Sequence, residues 1–191
     1  MPLRNQLRKS VGLYWRIRRI RMYFWNAILG THLPLTCVMS GRQNFISKDI
    51  SVGDYSFIGH GCTIYPKVKL GRFVLIAPEV KIVGADHEFS IPGTPIILSG
   101  RELLQETVIG DDVWIGTGVF VKAGINIGNG AIVAAHSVVT KSVSPYSIVA
   151  GNPARLVRMR FTDDQILEHE AMLNTQTNFR IDPNSFVGRL I

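Results

Sequence analysis

The chain has 191 residues, 46% apolar and 18% charged, which suits one folded domain with appendages and is too apolar for a disordered chain. Its formal net charge of +7 is uneven: residues 1–48 hold nine basic residues (Arg4, Arg8, Lys9, Arg16, Arg18, Arg19, Arg21, Arg42, Lys48) and no acid, against 12 basic and 14 acidic residues beyond. A basic arm on a near-neutral body argues against a nucleic-acid binder and for a local surface contact.

Residues 1–30 read as a helix, with Leu3, Leu7, Val11, Tyr14, Ile17, Phe24 and Ile28 near helical spacing and Trp15, Tyr23 and Trp25 as interfacial aromatics. The arginines run on to Arg21 with no clean apolar run and cleavage site after them, so a signal peptide is not expected, nor is a span of about 20 apolar residues present. Two readings of the arm stand: a helix capping the end of the domain or touching a partner subunit, and a helix lying on an anionic membrane face through residues 1–25. Residues 31–45 form a lead-in segment containing Pro34 and Gly41.

From Ile46 a six-residue beat begins: Ile46, Val52, Ile58, Ile64, Leu70, Ile76, Ile82, then Ile109, Ile115, Val121, Ile127, Val133 and Val139. The next residue is often Gly or Ala, and the fourth after each beat is usually compact (Ser56, Cys62, Val68, Val74, Val80, Val113, Val119, Ala131, Ser137). Neither a helix nor a single strand keeps that period on one face. It predicts an all-β solenoid of short flat sides, with the aliphatic residue inward and Gly or Ala relieving the turn, and coils about 4.8 Å apart. Cys62 falls on an inward position, and Cys37 and Cys62 have no metal-ligand spacing. The beat breaks between Ile82 and Ile109, so a loop over 88–108, with Pro92, Gly93, Pro95 and Gly100, is expected to leave the solenoid and to carry function. After Gly151-Asn152-Pro153 the chain leaves the coils, and Thr162-Asp163-Asp164-Gln165 matches a capping box for a helix from 163 to about 173. The chain thus divides into an arm and lead-in (1–45), a repeat domain (46–160) and a C-terminal helix and tail (161–191).

Two motifs make the chain resemble a known family. Ile76-Ala77-Pro78-Glu79-Val80-Lys81-Ile82-Val83-Gly84-Ala85-Asp86-His87 is similar to the approach to the catalytic histidine in galactoside, maltose and streptogramin O-acetyltransferases. Ile109-Gly110-Asp111-Asp112-Val113-Trp114-Ile115-Gly116, with Val139-Thr140-Lys141-Ser142-Val143 and Ile148-Val149-Ala150-Gly151-Asn152-Pro153-Ala154-Arg155, resembles the hexapeptide-repeat acyltransferases more generally. Over residues 46–160 the resemblance implies a left-handed parallel β-helix, a homotrimer with acetyl-CoA between neighbouring helices, and no required metal. The loop and the Asp-Asp-Val-Trp run look most like the branch that O-acetylates bacterial surface polysaccharides. His136, where many relatives have Gly, and Ser144-Pro145-Tyr146, in place of Pro-Pro-Tyr, depart from the pattern.

Acetyl transfer to a hydroxyl needs a base, and imidazole titrates near working pH. The resemblance assigns that role to His87, where the coil ends and the loop opens. Asp86 and Glu88 flank it as candidates to orient the ring, and His60 is a candidate to face the acceptor. The resemblance further implies an oxyanion-binding backbone N–H near Thr117, a pantetheine contact at Ala135, and CoA phosphates near Thr140, Lys141, Arg155 and Arg158. Trp114 is too large to point inward and is a candidate to flank the acetyl group or a sugar face; His136 is a candidate for the CoA groove; His32 and His169 read as surface residues.

The expected function is acetyl-CoA-dependent O-acetylation of a sugar in a bacterial surface glycan or its lipid-linked precursor. The expected location is the cytoplasm, or its membrane face. N-acetylation of an amino sugar is the alternative within acyl transfer, since His87 chemistry serves both acceptors. A γ-type carbonic anhydrase, which Gly59-His60-Gly61-Cys62-Thr63-Ile64 faintly resembles, has Tyr65 where a second zinc ligand is needed. A non-enzymatic trimeric scaffold is the third class.

Overall fold

The computed structural model describes residues 11–41 and 43–175. Its strands wind into a three-sided prism. Sheet A holds β1 (Val38–Met39), β4 (Phe57–Ile58), β7 (Leu75–Ile76), β10 (Trp114–Ile115), β13 (Ile132–Val133), β15 (Ser147–Gly151) and β16 (Ala154–Met159). Sheet B holds β2 (Phe45–Ile46), β5 (Thr63–Ile64), β8 (Lys81–Val83), β11 (Phe120–Lys122) and β14 (Val138–Val139). Sheet C holds β3 (Ser51–Val52), β6 (Val68–Leu70), β9 (Thr107–Ile109) and β12 (Asn126–Ile127). Successive strands visit A, B and C in turn, and each pairs in parallel with the strand one coil away, as in Phe45 beside Thr63, Ser51 beside Lys69 and Phe57 beside Leu75. This is the solenoid that the six-residue beat predicts, wound as the left-handed parallel β-helix that the resemblance implies.

All thirteen beat residues lie on β2–β14 and are buried, forming one axial core with the compact residues four positions on. Each buried aliphatic side chain contributes about 1.5–3 kcal/mol. The corner geometry differs from the expectation. The residue after the beat is not where the chain turns; it is where two coils touch, since a Cβ on Gly59 would lie 2.5 Å from Pro78 N. The turn falls two residues later, at a left-handed residue: Tyr55, Gly61, Lys67, Phe73, Glu79, Ala85, Asp112, Gly118, Gly124, Gly130 and His136 all have φ between 54° and 87°. His136 adopts this conformation at 58°.

Three irregularities escaped the beat. The solenoid starts earlier than residue 46: β1 in the lead-in segment pairs with β4, and one extra residue between Met39 and Ile46 masks it. The ejected segment adds 21 residues to a coil that otherwise closes in 18, for Leu75 pairs with Trp114 and Trp114 with Ile132. The last coil is two residues short, with Val143 bridging Ile127, and β15 then folds back on β16 as an antiparallel hairpin.

Two helices flank the prism. In α1 (Val11–Leu29), Met22 is buried, Trp25 packs on the core, and Arg21 Nη2 donates to the Met39 carbonyl at 2.8 Å. Trp25 therefore faces the solenoid rather than an interface. Gly30, at φ 62°, ends the helix, and the Asn26 side chain ties it to Thr31 and Leu33. Residues 1–10 of the predicted arm and 176–191 of the tail lie outside the described residues, as do the side chains of Tyr14, Trp15 and Arg18. In α2 (Asp163–Thr175) the capping box forms: Gln165 Oε1 accepts from Thr162 N at 3.0 Å, and Thr162 Oγ1 accepts from Gln165 N at 3.4 Å.

Candidate active site

His87 stands at the corner between sheets B and C, where the chain leaves β8. A short ladder grips it: Glu88 N donates to Gly100 O at 3.1 Å and Glu102 N to Asp86 O at 3.0 Å, placing His87 opposite Arg101. The backbone at the histidine is thus a two-stranded clasp, although the segment is irregular beyond it. The ring is half-buried, and Nδ1 is buried with no partner among the described residues. Neither flanking carboxylate pairs with it. Glu88 turns to its own backbone, where Oε1 accepts from Ser90 Oγ, Ser90 N and Phe89 N; these bonds, the hydroxyl first, hold its carboxyl below the usual range. Asp86 is exposed. Past the clasp the loop carries Phe89, Ile91, Ile96, Ile97, Leu98 and Leu103, all exposed, with a 3-10 turn at Ile96–Leu98.

Thr117 and Ala135 lie at a different corner, between sheets A and B, in one column with His60. Each stands two residues past its beat, and the ladder gives this position a common property. At Thr117 and Ala135 the N–H before and the N–H after bond to neighbouring coils, as Gly116 does to Val133 O and Gly118 to Pro78 O. The Thr117 and Ala135 N–H groups have no partner among the described residues. The column therefore offers outward backbone donors, which suits an oxyanion or a chain of amides. The left-handed residues beside it line a groove of about 450 Å³ with Gly61, Glu79, Gly118 and His136, together with Lys81 and Phe120 from sheet B. The His136 ring lies over Gly118, where an added Cβ would meet it at 2.6 Å.

Thr140 and Lys141 follow β14 at the B–C corner, two coils on from His87. Lys141 and Arg155 line a cavity of about 380 Å³ under the β15–β16 hairpin, with Ser142, Ser144 and Leu156. Arg158 is not among its lining residues; exposed on β16, it donates to Met159 O. Trp114 is 49% exposed on the outer face of sheet A. One chain therefore brings His87, Thr140 and Lys141 to one corner, and His60, Thr117 and Ala135 to another, with the outer face of sheet B between them. A side of the prism spans roughly 15–20 Å, too far for one thioester to touch both corners of one chain.

Sequence reasoning missed what Asp111 and Asp112 do. Asp111 accepts from Arg72 N and pairs with its guanidinium at 2.7 Å, while Arg72 Nη1 reaches Leu173 O in α2. Asp112 Oδ2 takes Arg160 at 2.7 Å and His169 Nε2 at 2.9 Å. His169, expected at the surface, is instead 18% exposed and packs its ring on Tyr146 and Phe161. The acidic pair anchors α2 to the prism. No group of three or more His, Cys, Asp or Glu side chains converges as a metal site among the described residues.

Comparison with known proteins places this geometry. Residues 106–141 match the family described as Bacterial transferase hexapeptide (six repeats). A chloramphenicol acetyltransferase of Klebsiella aerogenes is 57% identical over 63% of this chain and 72% of its own. The putative colanic acid biosynthesis acetyltransferase WcaF of Escherichia coli K12 is 31% identical over 79% of this chain and 87% of its own. Among solved structures, the hexapeptide-repeat acetyltransferase VCA0836 of Vibrio cholerae, complexed with acetyl-CoA, superposes with a TM-score of 0.61 at 26% identity, covering 83% of this chain and 89% of that one. On these identities over most of the relatives' length, and on the winding shared with the solved structure, the chain belongs to the hexapeptide-repeat acyltransferases.

Proposed function

We propose that this acyltransferase moves acetyl from acetyl-CoA to a hydroxyl on a sugar of a bacterial surface glycan or its lipid-linked precursor, with His87 as general base. The observation that carries the reading is the position of His87, gripped by a backbone clasp where the scaffold ends and an apolar loop begins. The imidazole takes the hydroxyl proton as oxygen attacks the thioester carbonyl. The oxyanion is held by a backbone donor at the Thr117 position, and its collapse expels the CoA thiolate, which takes the proton from the imidazolium. Two chains are needed, because His87 and Thr117 occupy different corners. A homotrimer in which the B–C corner of one copy faces the A–B corner of the next unites them. Lys141 and Arg155, in one cavity, suit the CoA phosphates. The glycan reading draws support from the relative named for colanic acid biosynthesis, which matches over most of its own length.

A second reading is a hydroxyl on a hydrophobic antibiotic, favoured by the relative named a chloramphenicol acetyltransferase and by the exposed apolar loop beside His87. Acetyl transfer measured across a lipid-linked saccharide, the free saccharide and chloramphenicol separates the two. Replacing His87 with Ala should lower turnover on the true acceptor by about 10²–10⁴-fold and leave acetyl-CoA affinity nearly unchanged. Near-normal turnover by that variant refutes the mechanism.

A further inference from the structure

The capping and membrane readings of the N-terminal arm divide between two faces of α1. One face holds the solenoid through Arg21, Met22, Trp25 and Asn26. The other carries Ile17, Ile20, Phe24 and Ile28, spaced three and four residues apart as a single stripe, and exposed by 44%, 57%, 59% and 74%. Exposed Arg16 and Arg19 and the exposed Tyr23 border it. A stripe of this size on a helix already docked by another face is not accounted for by packing among the described residues. We infer that this outer face of α1 seats the enzyme on an anionic lipid bilayer, with Ile20, Phe24 and Ile28 entering the headgroup boundary and Arg16 and Arg19 meeting lipid phosphates.

Charge selects this occupant over a second copy of α1. Residues 1–48 contain no acid, so pairing two such helices sets arginine against arginine with nothing to neutralise them. An anionic leaflet supplies the missing charge, and apolar residues bordered by arginine and tyrosine are the composition of a helix lying in the interface plane. No helix among the described residues is long and apolar enough to cross a membrane, so α1 lies on the surface.

The test uses the full chain sedimented with phosphatidylglycerol-containing vesicles and with pure phosphatidylcholine vesicles, at low and high salt. Wild type should bind the anionic vesicles about tenfold more than the neutral ones at low salt, with the preference shrinking at high salt. The double change Ile20→Ser and Phe24→Ser, which keeps every arginine, should release the protein while acetylation of a soluble acceptor is unchanged. Arg16→Gln with Arg19→Gln should erase the preference for anionic lipid. Wild type that ignores anionic vesicles at low salt overturns the inference. So does a serine variant that still binds fully, or one whose oligomeric mass falls, since the stripe would then be a contact between copies. Each of these outcomes leaves the role of His87 untouched.

Discussion

Two thiols face the inside of the prism, and their burial has a consequence for stability. Desolvation pushes the Cys37 thiol from 9.0 up to about 12 and raises Cys62 as well. Between those limits the folded chain holds a proton on Cys37 that the unfolded chain has released. Folded stability is therefore insensitive to this thiol below about pH 9 and falls as pH rises toward about 12, by up to about 1.4 kcal/mol per pH unit. Urea unfolding at about pH 8 and about pH 10 should show this loss, and Cys37→Ala should reduce it, leaving the part that Cys62 contributes; an unchanged slope in that variant removes the explanation. At the proposed donor site, Lys141 and Arg155 share a cavity that Arg158 does not line. Lys141→Ala and Arg155→Ala should each weaken CoA binding by about 1.5–3 kcal/mol, with the residue that meets the 3′-phosphate losing little toward dephospho-CoA. Arg158→Ala should change neither, and equal affinity for both ligands in all three variants would remove the phosphate assignment.

At the scale of the element, the two kinds of glycine at a corner act through different physics. A Cβ on Gly59 would lie 2.5 Å from Pro78 N, whereas one on Gly61 would meet nothing nearer than Glu79 Cγ at 3.4 Å but sits at a φ of 70°. Gly59→Ala must force two coils apart and should cost about 3 kcal/mol, while Gly61→Ala meets only left-handed strain of about 1–2 kcal/mol. The reverse order in chemical denaturation would mean that the coils are less tightly stacked than their backbones indicate. The same distinction explains what could be read in advance. Strands β2–β14 were legible because each presents one aliphatic residue to a shared axis at a fixed step. The step fails at β1, where one extra residue intervenes, and at β16, an antiparallel return whose side chains answer to a hairpin partner rather than to the axis. The place of His87, where a coil ends and the ejected segment begins, was legible from the break beside it. The roles of Asp112 and His169 were not, because they meet across 57 residues through a helix whose docking no local pattern encodes. His60 and His87 look near in sequence, but one and a half coils of a three-sided prism carry them to different corners.

At the scale of the whole molecule, a site split between two corners can be tested by mixing chains. His87→Ala should spoil one proposed half-site, and Ala135→Trp, which sets a bulky side chain in the column of unpaired N–H groups, the other. Each variant alone should be inactive. Co-refolded in equal amounts, they should recover activity at about a quarter of their interfaces, where an intact His87 faces an intact Ala135. No recovery from stably mixed trimers would place the whole reaction on one chain. The segment between Ile82 and Ile109 has a wider consequence. The ladder on either side pairs the same residues as it would had the chain turned the corner directly, so the solenoid does not register how long that segment is or what it contains. Mutations that lengthen, shorten or replace it are hidden from the core and from the donor cavity. On the proposed function, rewriting this stretch alone would exchange one acceptor for another while the winding stayed as it is.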